Sequence, residues 1–424
     1  MNGSVRLKWL LSQSDARAGA RAETLPLLSV SISWGVRRRQ ESETTTRAAS
    51  EDLSNYKLCR AGDLVINRMR AFQGALGIAP EDGIVSPDYA VLRVDPKVDK
   101  RWLNYLLTSG PTVATMASLV RGIGGTETGN VRTPRLNISD LQAMTVPLVS
   151  ADGQRVIADY LDRETASIDT LIEEQQRLIE MLRGRRRAVV EQAVFSGLDG
   201  GPMTINAESW LPPTPSHWRV VQLGFVSDTV AGYPFPSNGF SADEDHVRLL
   251  RGVNVKPGRI NWADTVYWDV EATAVPSEFV LEVGDLVFGM DRPFVGGGVR
   301  VAAVSGNDLP TLLLQRVMRI RPISEAGRGY MRYVMSTDAF LTYLEPQFTG
   351  VSVPHVSEWQ VRKFKMPFPP LDEQKSIAAY LDGQTAKIDV LLEETERFIA
   401  IARERRAALV TAAVTGQIDV REMV

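Results

Sequence analysis

Residues Gln154–Asp199 read QRVIADYLDRETASIDTLIEEQQRLIEMLRGRRRAVVEQAVFSGLD, and Gln374–Asp419 read QKSIAAYLDGQTAKIDVLLEETERFIAIARERRAALVTAAVTGQID. One overlays the other without a gap at a constant offset of 220 residues: Gln154 meets Gln374, Leu161-Asp162 meets Leu381-Asp382, and Ile168-Asp169 meets Ile388-Asp389. A repeat dictates architecture before any motif does. In the first copy Ile157, Leu161, Ile168, Leu171, Ile172, Leu178, Ile179 and Leu182 recur every three or four residues, the period of a helix with one buried stripe. The second copy repeats the stripe with Ile377, Leu381, Ile388, Leu391, Leu392, Phe398 and Ile399. Acidic Glu173, Glu174, Glu393 and Glu394 come early, and Arg185–Arg187, Arg403, Arg405 and Arg406 come late, as the helix dipole favours. Each copy therefore reads as one long helix with a kink near Asp162 and Asp382. From Thr165 to Ser196 it would span roughly 45–50 Å at about 1.5 Å per residue, more than a small domain can cover. Two matching stripes of that length are expected to zip against each other, with Ile168, Leu171, Leu178, Leu182, Ile388, Leu391 and Phe398 at the helix pair or at a partner. Two unrelated surface helices would not keep one offset over the whole stretch.

The segments outside the repeats echo each other more faintly. Val5-x-Leu7-x-x-Leu10 resembles Val221-x-Leu223-x-x-Val226, Gly62-Asp63-Leu64-Val65 recurs as Gly284-Asp285-Leu286-Val287, and Val91-x-Arg93 recurs as Val317-x-Arg319. Val131-Arg132-Thr133-Pro134 lies opposite Val351-Ser352-Val353-Pro354. Short alternating runs broken by Gly, Pro, Asn and Asp predict mainly β domains with a few helices. The expected fold is α+β and pseudo-two-fold: two mainly β domains separated by two long repeated helices that pair as an antiparallel coiled coil. Residues 1–146 form the first domain and 147–200 the first helical spacer; 201–366 form the second domain with its leading arm, and 367–424 the second spacer. Near-identical spacers holding diverged domains suit a linear ligand with two unlike half-sites, and duplex DNA with a bipartite asymmetric sequence fits best.

Bulk properties narrow the reading. A net charge of −3 and a pI near 5.9 leave no general excess of Lys and Arg, so a DNA footprint must be local. One cysteine, Cys59, and three scattered histidines, His217, His246 and His355, offer neither an internal disulfide nor an ordinary zinc cluster. No structural metal and a reducing cytoplasm are expected. No apolar run of membrane length occurs in the sequence.

At these residues the chain resembles the specificity subunits of Type I restriction-modification enzymes. The run from Pro367 through Gln374, Ile377-Ala378-x-Tyr380-Leu381-Asp382, Ile388-Asp389, Arg405-Arg406 and Thr415-Gly416-Gln417-Ile418-Asp419 is similar to that family's helical region. The first repeat matches it, with Ser196-Gly197-Leu198-Asp199 at its end. Trp210-Leu-Pro-Pro-Thr-Pro-Ser-His-Trp218 is similar to the family's approach to a recognition domain, an arm the first domain lacks. Gly62–Arg70 with Gly83–Tyr89 looks like one class of such domains, which Asp291–Gly298 follows only loosely. The resemblance spans nearly the whole chain. It implies a non-catalytic subunit that recognises double-stranded DNA and directs two methyltransferase subunits, joined by motor-nuclease subunits for restriction. S-adenosylmethionine, ATP and Mg would belong to those partners, with no cofactor in this chain.

Affinity would come from Lys and Arg on phosphates, and specificity from Arg, Asn, Gln, Ser or Thr on base edges. The candidates are Arg37, Arg38, Arg39, Arg68, Arg70, Gln73, Arg121, Thr126, Arg132 and Arg135 in the first domain. In the second they are Asn238, Arg251, Asn254, Lys256, Arg292, Arg300, Gln347, Ser352 and His355. The terminal arginine clusters of the repeats suit a solvated helix end or a partner protein better than phosphate. Neither a Walker loop, nor a Gly-x-Gly turn after a strand, nor an Asn/Asp-Pro-Pro-aromatic tetrapeptide is present. The competing reading is a coiled-coil scaffold that joins two protein-binding domains without touching DNA.

Overall fold

A computed structural model of the chain describes residues 3–39, 53–120, 135–296, 298–324, 327–350 and 353–420. The repeats form helices Ala151–Ser196 and Leu371–Thr415. Both stop at glycines with left-handed backbone, Gly197 (φ 72°) and Gly416 (φ 75°), a conformation that ends a helix at little cost only without a Cβ. Both pass unbroken through Asp162 and Asp382, where a kink was expected. These aspartates instead anchor the adjoining domains. Asp162 accepts hydrogen bonds from Tyr105 and Arg101, each at 2.8 Å. Asp382 accepts from Tyr333 at 2.6 Å and pairs with Arg332.

Two compact units cut across the repeats: residues 1–176 with 396–424, and residues 177–395. In the first unit an antiparallel sheet has the strand order Leu11–Ser14, Tyr89–Val94, Leu64–Asn67, Leu76–Ile78. A second antiparallel pair, Gly3–Arg6 with Thr145–Leu148, closes the domain onto the start of the first repeat helix. Helix Lys100–Thr108 is capped by Asp99, whose carboxylate accepts from the Arg101 and Trp102 amides. Its Trp102, Leu103, Leu106 and Leu107 join Leu7, Leu64, Leu92 and Leu161 in one core, which Val410, Ala413 and Val414 complete from the far end of the second repeat. Arg406 of that end makes a bidentate pair with Asp169 at 2.8 and 3.0 Å.

The second unit repeats the plan. Its sheet runs Ser227–Ala231, Val317–Pro322, Leu286–Gly289, Val301–Ala303, and Arg219–Gln222 pairs with Lys365–Phe368. Val190, Ala193, Val194 and Phe195 of the first repeat enter its core beside Phe288, Tyr330, Phe340, Phe364, Ile377 and Leu381. Arg186 makes the matching bidentate pair with Asp389, at 2.8 and 3.3 Å. In each unit the late part of one repeat thus packs beside the early part of the other, so the two helices run in opposite directions. The leading arm is fixed by Trp218, whose indole donates to Glu373 at 2.8 Å, and by Trp210, tilted against Tyr343 at 5.0 Å. A further layer, Val247–Leu250 between Tyr267–Trp268 and Thr311–Leu313, is matched in reduced form in the first unit, where Gly83–Val85 pairs with Lys57–Cys59 and Ile84 bridges in parallel to Leu27.

The internal alignment needs one correction. Leu64 pairs with Leu92 and Leu286 with Ile320, so Val91 corresponds to Arg319 and Arg93 to Arg321, two residues away from the match made on sequence. A slip of two keeps every side chain on its own face, which is why the sequence pattern tolerates it.

Of the residues expected at the helix pair or a partner, Leu182 and Ile388 are buried and Ile168 and Leu178 half-buried. Leu171, Leu391 and Phe398 remain 37%, 47% and 42% exposed. Ile172, Ile179, Leu182, Ile388, Ile399 and Ala402 are buried: the apolar stripe is wider than its buried part. Among the described residues no helix is long and apolar enough to cross a membrane.

Candidate nucleic-acid interface

In both units the strand after the Gly-Asp turn leads into a loop that meets the segment returning towards the second pair of strands. Asp63 fixes one turn by accepting from the Arg60 amide, and Asp285 fixes the other from the Glu282 amide, each at 2.8 Å. The returning segment docks through one backbone bond: Leu136 N–H donates to Arg68 O at 2.9 Å, and Val356 N–H to Met290 O at 3.0 Å. Arg68 thus corresponds to Met290, Arg70 to Arg292, Arg135 to His355 and Asp88 to Arg316. One frame presents two different sets of side chains.

In the first unit this place is cationic. Arg68 is half-buried, its Nε donating to Leu136 O at 3.1 Å. Burial, and then the charge of neighbouring Arg135, lowers its pKa below the usual arginine value. Arg135 pairs with Asp88 at 2.8 Å, while Arg70 is exposed. Burial raises the pKa of Tyr89, and the opposing pull of Arg39 and Arg70 puts those two cations within electrostatic reach of its hydroxyl. On the hairpin Leu28–Ser31 with Gly35–Arg38, Arg37 lies over the Trp34 ring, 4.1 Å from its centroid, and Arg38 pairs with Glu81. Gln73 is exposed on the adjoining turn Ala71–Gln73.

In the second unit the corresponding place is a His-Asp-Arg cluster. His355 Nδ1 stands 2.6 Å from Asp291 Oδ1, and Arg316 Nη1 lies 3.5 Å from the same oxygen. Among the described residues the non-glycine positions with left-handed backbone are Arg292 (φ 44°) and Arg316 (φ 69°), and both belong here. Such a conformation costs of order 1–3 kcal/mol and persists where surrounding structure holds it, as at ligand-contacting loops. The neighbouring hairpin, Val255–Lys256 with Arg259–Ile260, carries a half-buried Lys256 and an exposed Arg259.

No family model matches the chain. Over 298 residues it is 24% identical to the Type I restriction enzyme MjaVIII specificity subunit of Methanocaldococcus jannaschii, covering 70% of this chain and 67% of that one. Over 169 residues it is 30% identical to the EcoAI specificity subunit of Escherichia coli, covering 40% and 28%. The match to the EcoBI specificity subunit, 28% identical, spans 39% of that relative, so the chain covers well under half of both Escherichia coli proteins. The chain is thus similar to Type I restriction specificity subunits. Its fold agrees with a solved structure from a study of the assembly and conformational transition of the type I R-M system, at a TM-score of 0.69, 16% identity and 98% coverage of both chains.

Several candidates stand elsewhere. Two are buried. Asn254 is only 1% exposed, and its side chain accepts from the Arg251 amide and donates to the Asn261 and Asp264 carbonyls, closing its own loop. Arg300 is 8% exposed and donates to Val255 O at 3.0 Å and Asp291 O at 2.7 Å, so its cation ties two hairpins together. Arg251 is turned to Asp264 at 2.6 Å, and Gln347 donates to Tyr343 O at 2.7 Å. Asn238 is exposed on the separate turn Ser237–Gly239. Arg121, Thr126, Arg132 and Ser352 lie outside the described residues. Sequence reasoning missed Arg316 and Arg259. The two-residue slip hid the correspondence of Arg316 to Asp88, and Arg259 looks like any arginine beside a Pro-Gly turn.

Proposed function

We propose that this chain is a sequence-specific, non-catalytic DNA-binding subunit that reads a bipartite asymmetric target, one half with each unit, and brings partner methyltransferase subunits to it. One observation carries the reading: the same loop frame occurs in both units, furnished with Arg68, Arg70 and Arg135 in one and with Arg292, Arg316 and His355 in the other. Arginine suits bidentate readout of guanine and salt-bridged contact with phosphate, and histidine suits a different base edge. The repeat helices pair along their length as an antiparallel coiled coil, with the register pins Arg186–Asp389 and Arg406–Asp169 supporting that pairing. Two methyltransferase subunits dock on this helical region, where Leu171, Leu391 and Phe398 offer uncovered apolar surface. S-adenosylmethionine is bound by those subunits, and ATP and Mg by motor-nuclease subunits where the system restricts. The assembly works in the cytoplasm.

The test is DNA affinity of the co-purified complex across salt. A complex making about six phosphate contacts loses roughly a thousandfold in affinity between 50 and 200 mM salt. A scaffold of protein-binding domains gives no salt-dependent affinity at all, and that result would overturn the reading.

A further inference from the structure

At the place where the first unit puts Phe72 and Gln73 on a tight turn, the second unit builds a projecting hairpin. Phe294 pairs with Val299 and Val295 with Gly298, leaving Phe294 44% and Val295 37% exposed. An exposed aromatic on a loose loop would signify little, but this hairpin is firmly rooted. Buried Arg300 holds the carbonyls of Val255 and Asp291, and its backbone amide donates to Pro293 O at 2.8 Å. The neighbouring Lys256–Arg259 turn is fastened too, Gly258 N–H donating to Val301 O at 2.8 Å. A Cβ on Gly298 would stand 3.8 Å from the Pro257 side chain, so the two hairpins lie side by side. The charges beside the apolar tip are cationic: Arg292 at its root, and Lys256 and Arg259 on the adjacent turn. None of these three makes an ion pair among the described residues.

We propose that Phe294, with Val295 beside it, is an apolar wedge that enters the duplex in the half-target read by the second unit and unstacks one base step there. An apolar hairpin held at its root and flanked by cations fits a polyanion with stacked apolar rings inside it, because the cations hold the phosphates while the ring replaces a lost stacking partner. A protein partner is the weaker fit, since Phe294 and Val295 make a small apolar tip, the charges on the two hairpins are cationic, and the one carboxylate at the root, Asp291, is already engaged by Arg316 and His355. The first unit, with half-buried Phe72 and polar Gln73 at the corresponding place, reads its half without such a wedge. The inference rests on the DNA-reading role proposed above.

The experiment uses the full complex with its methyltransferase subunits and a duplex carrying its own target, established by mapping methylated adenines. 2-Aminopurine is placed in turn at each position of both halves. A methyltransferase turns its target base out of the stack, so a probe at the methylated adenine serves as internal reference. The unaltered complex should brighten the reference and, in addition, one step in one half only. Phe294→Ala should abolish the second signal, keep the reference signal, and weaken binding about tenfold to a hundredfold; Phe294→Trp should keep both signals. A second signal that survives Phe294→Ala, or never exists in a complex that binds its target, overturns the wedge and leaves DNA reading intact. Loss of a partner subunit from the Phe294→Ala complex in sedimentation without DNA also overturns it, in favour of protein docking. If the unaltered complex shows no preference for any sequence, DNA reading fails and the wedge fails with it.

Discussion

A single arginine means opposite things in this chain depending on what surrounds it. Arg300 and Arg70 are both followed by short apolar stretches, yet one is sealed in a web of carbonyls and the other is open to solvent. Sequence gives residue type and local period but not burial, so Asn254 and Arg300 read as base contacts until their partners are seen. The difference is measurable. Asn254→Ala leaves the Asn261 carbonyl and the Arg251 amide without the partners they have here and should cost about 1–3 kcal/mol of folding stability, seen as a lower denaturation midpoint. Arg70→Ala and Arg292→Ala should leave that midpoint within about 0.5 kcal/mol, as surface changes do. Each should instead weaken target binding by about 1–3 kcal/mol, read as affinity of the assembled complex. Cys59 gives a second test at this scale. It is fully buried beside Gly83 O, and burial pushes its thiol up to about 12. The folded chain should therefore resist alkylation at pH 8 and take up one equivalent only after denaturation; rapid labelling of the native chain would contradict the packing described.

Among the elements, the repeat helices were the most legible, because a stripe kept over forty-odd residues at one offset admits few other readings. Their buried positions were less so: the stripe names a face, and which part of that face is covered depends on packing that neither Leu171 nor Phe398 reveals on its own. The strands were legible as a class, while their internal register slipped by two because alternation is blind to such a shift. The contacts at Asp162 give a pH prediction for the first unit. Burial raises Tyr105 to about 12, above the usual tyrosine value, and the hydrogen bond that only its neutral form can donate to Asp162 adds to the rise. A pKa raised on folding contributes stability that is complete below the unfolded value near 10 and is lost as pH climbs towards 12. Tyr105→Phe should flatten the fall in stability over that window, as followed by far-ultraviolet circular dichroism. The ion pairs Arg406–Asp169 and Arg186–Asp389 are partly exposed, so each double-mutant cycle should return no more than about 1 kcal/mol. Leu182→Ala, at a buried position, should cost about 2–5 kcal/mol. A ranking in which the ion pairs outweigh Leu182 would mean that charge, not apolar packing, holds the helices.

For the whole molecule the informative feature is the contrast between like frames and unlike furnishings. Duplication of the Gly-Asp turn, the backbone bond at Leu136 and Val356 and the helix-anchoring tyrosines preserves a scaffold. Replacement of Asp88 and Arg135 by Arg316 and His355 changes what that scaffold presents. The two-unit organisation was legible in sequence from the repeat alone, whereas the loops that furnish each unit were not, since their side chains converge from segments tens of residues apart. Two readers on one chain should yield one target with two unlike halves. The most direct measurement is single-molecule sequencing of adenine methylation in the host genome, with this chain intact, deleted, and altered by paired Arg70→Ala and Arg135→Ala changes. The expected result is one asymmetric bipartite motif with a fixed gap. It should vanish on deletion and, in the altered strain, lose stringency in one half alone. Methylation unchanged by the deletion, or stringency lost equally in both halves, would contradict a molecule in which each unit reads its own part of the target.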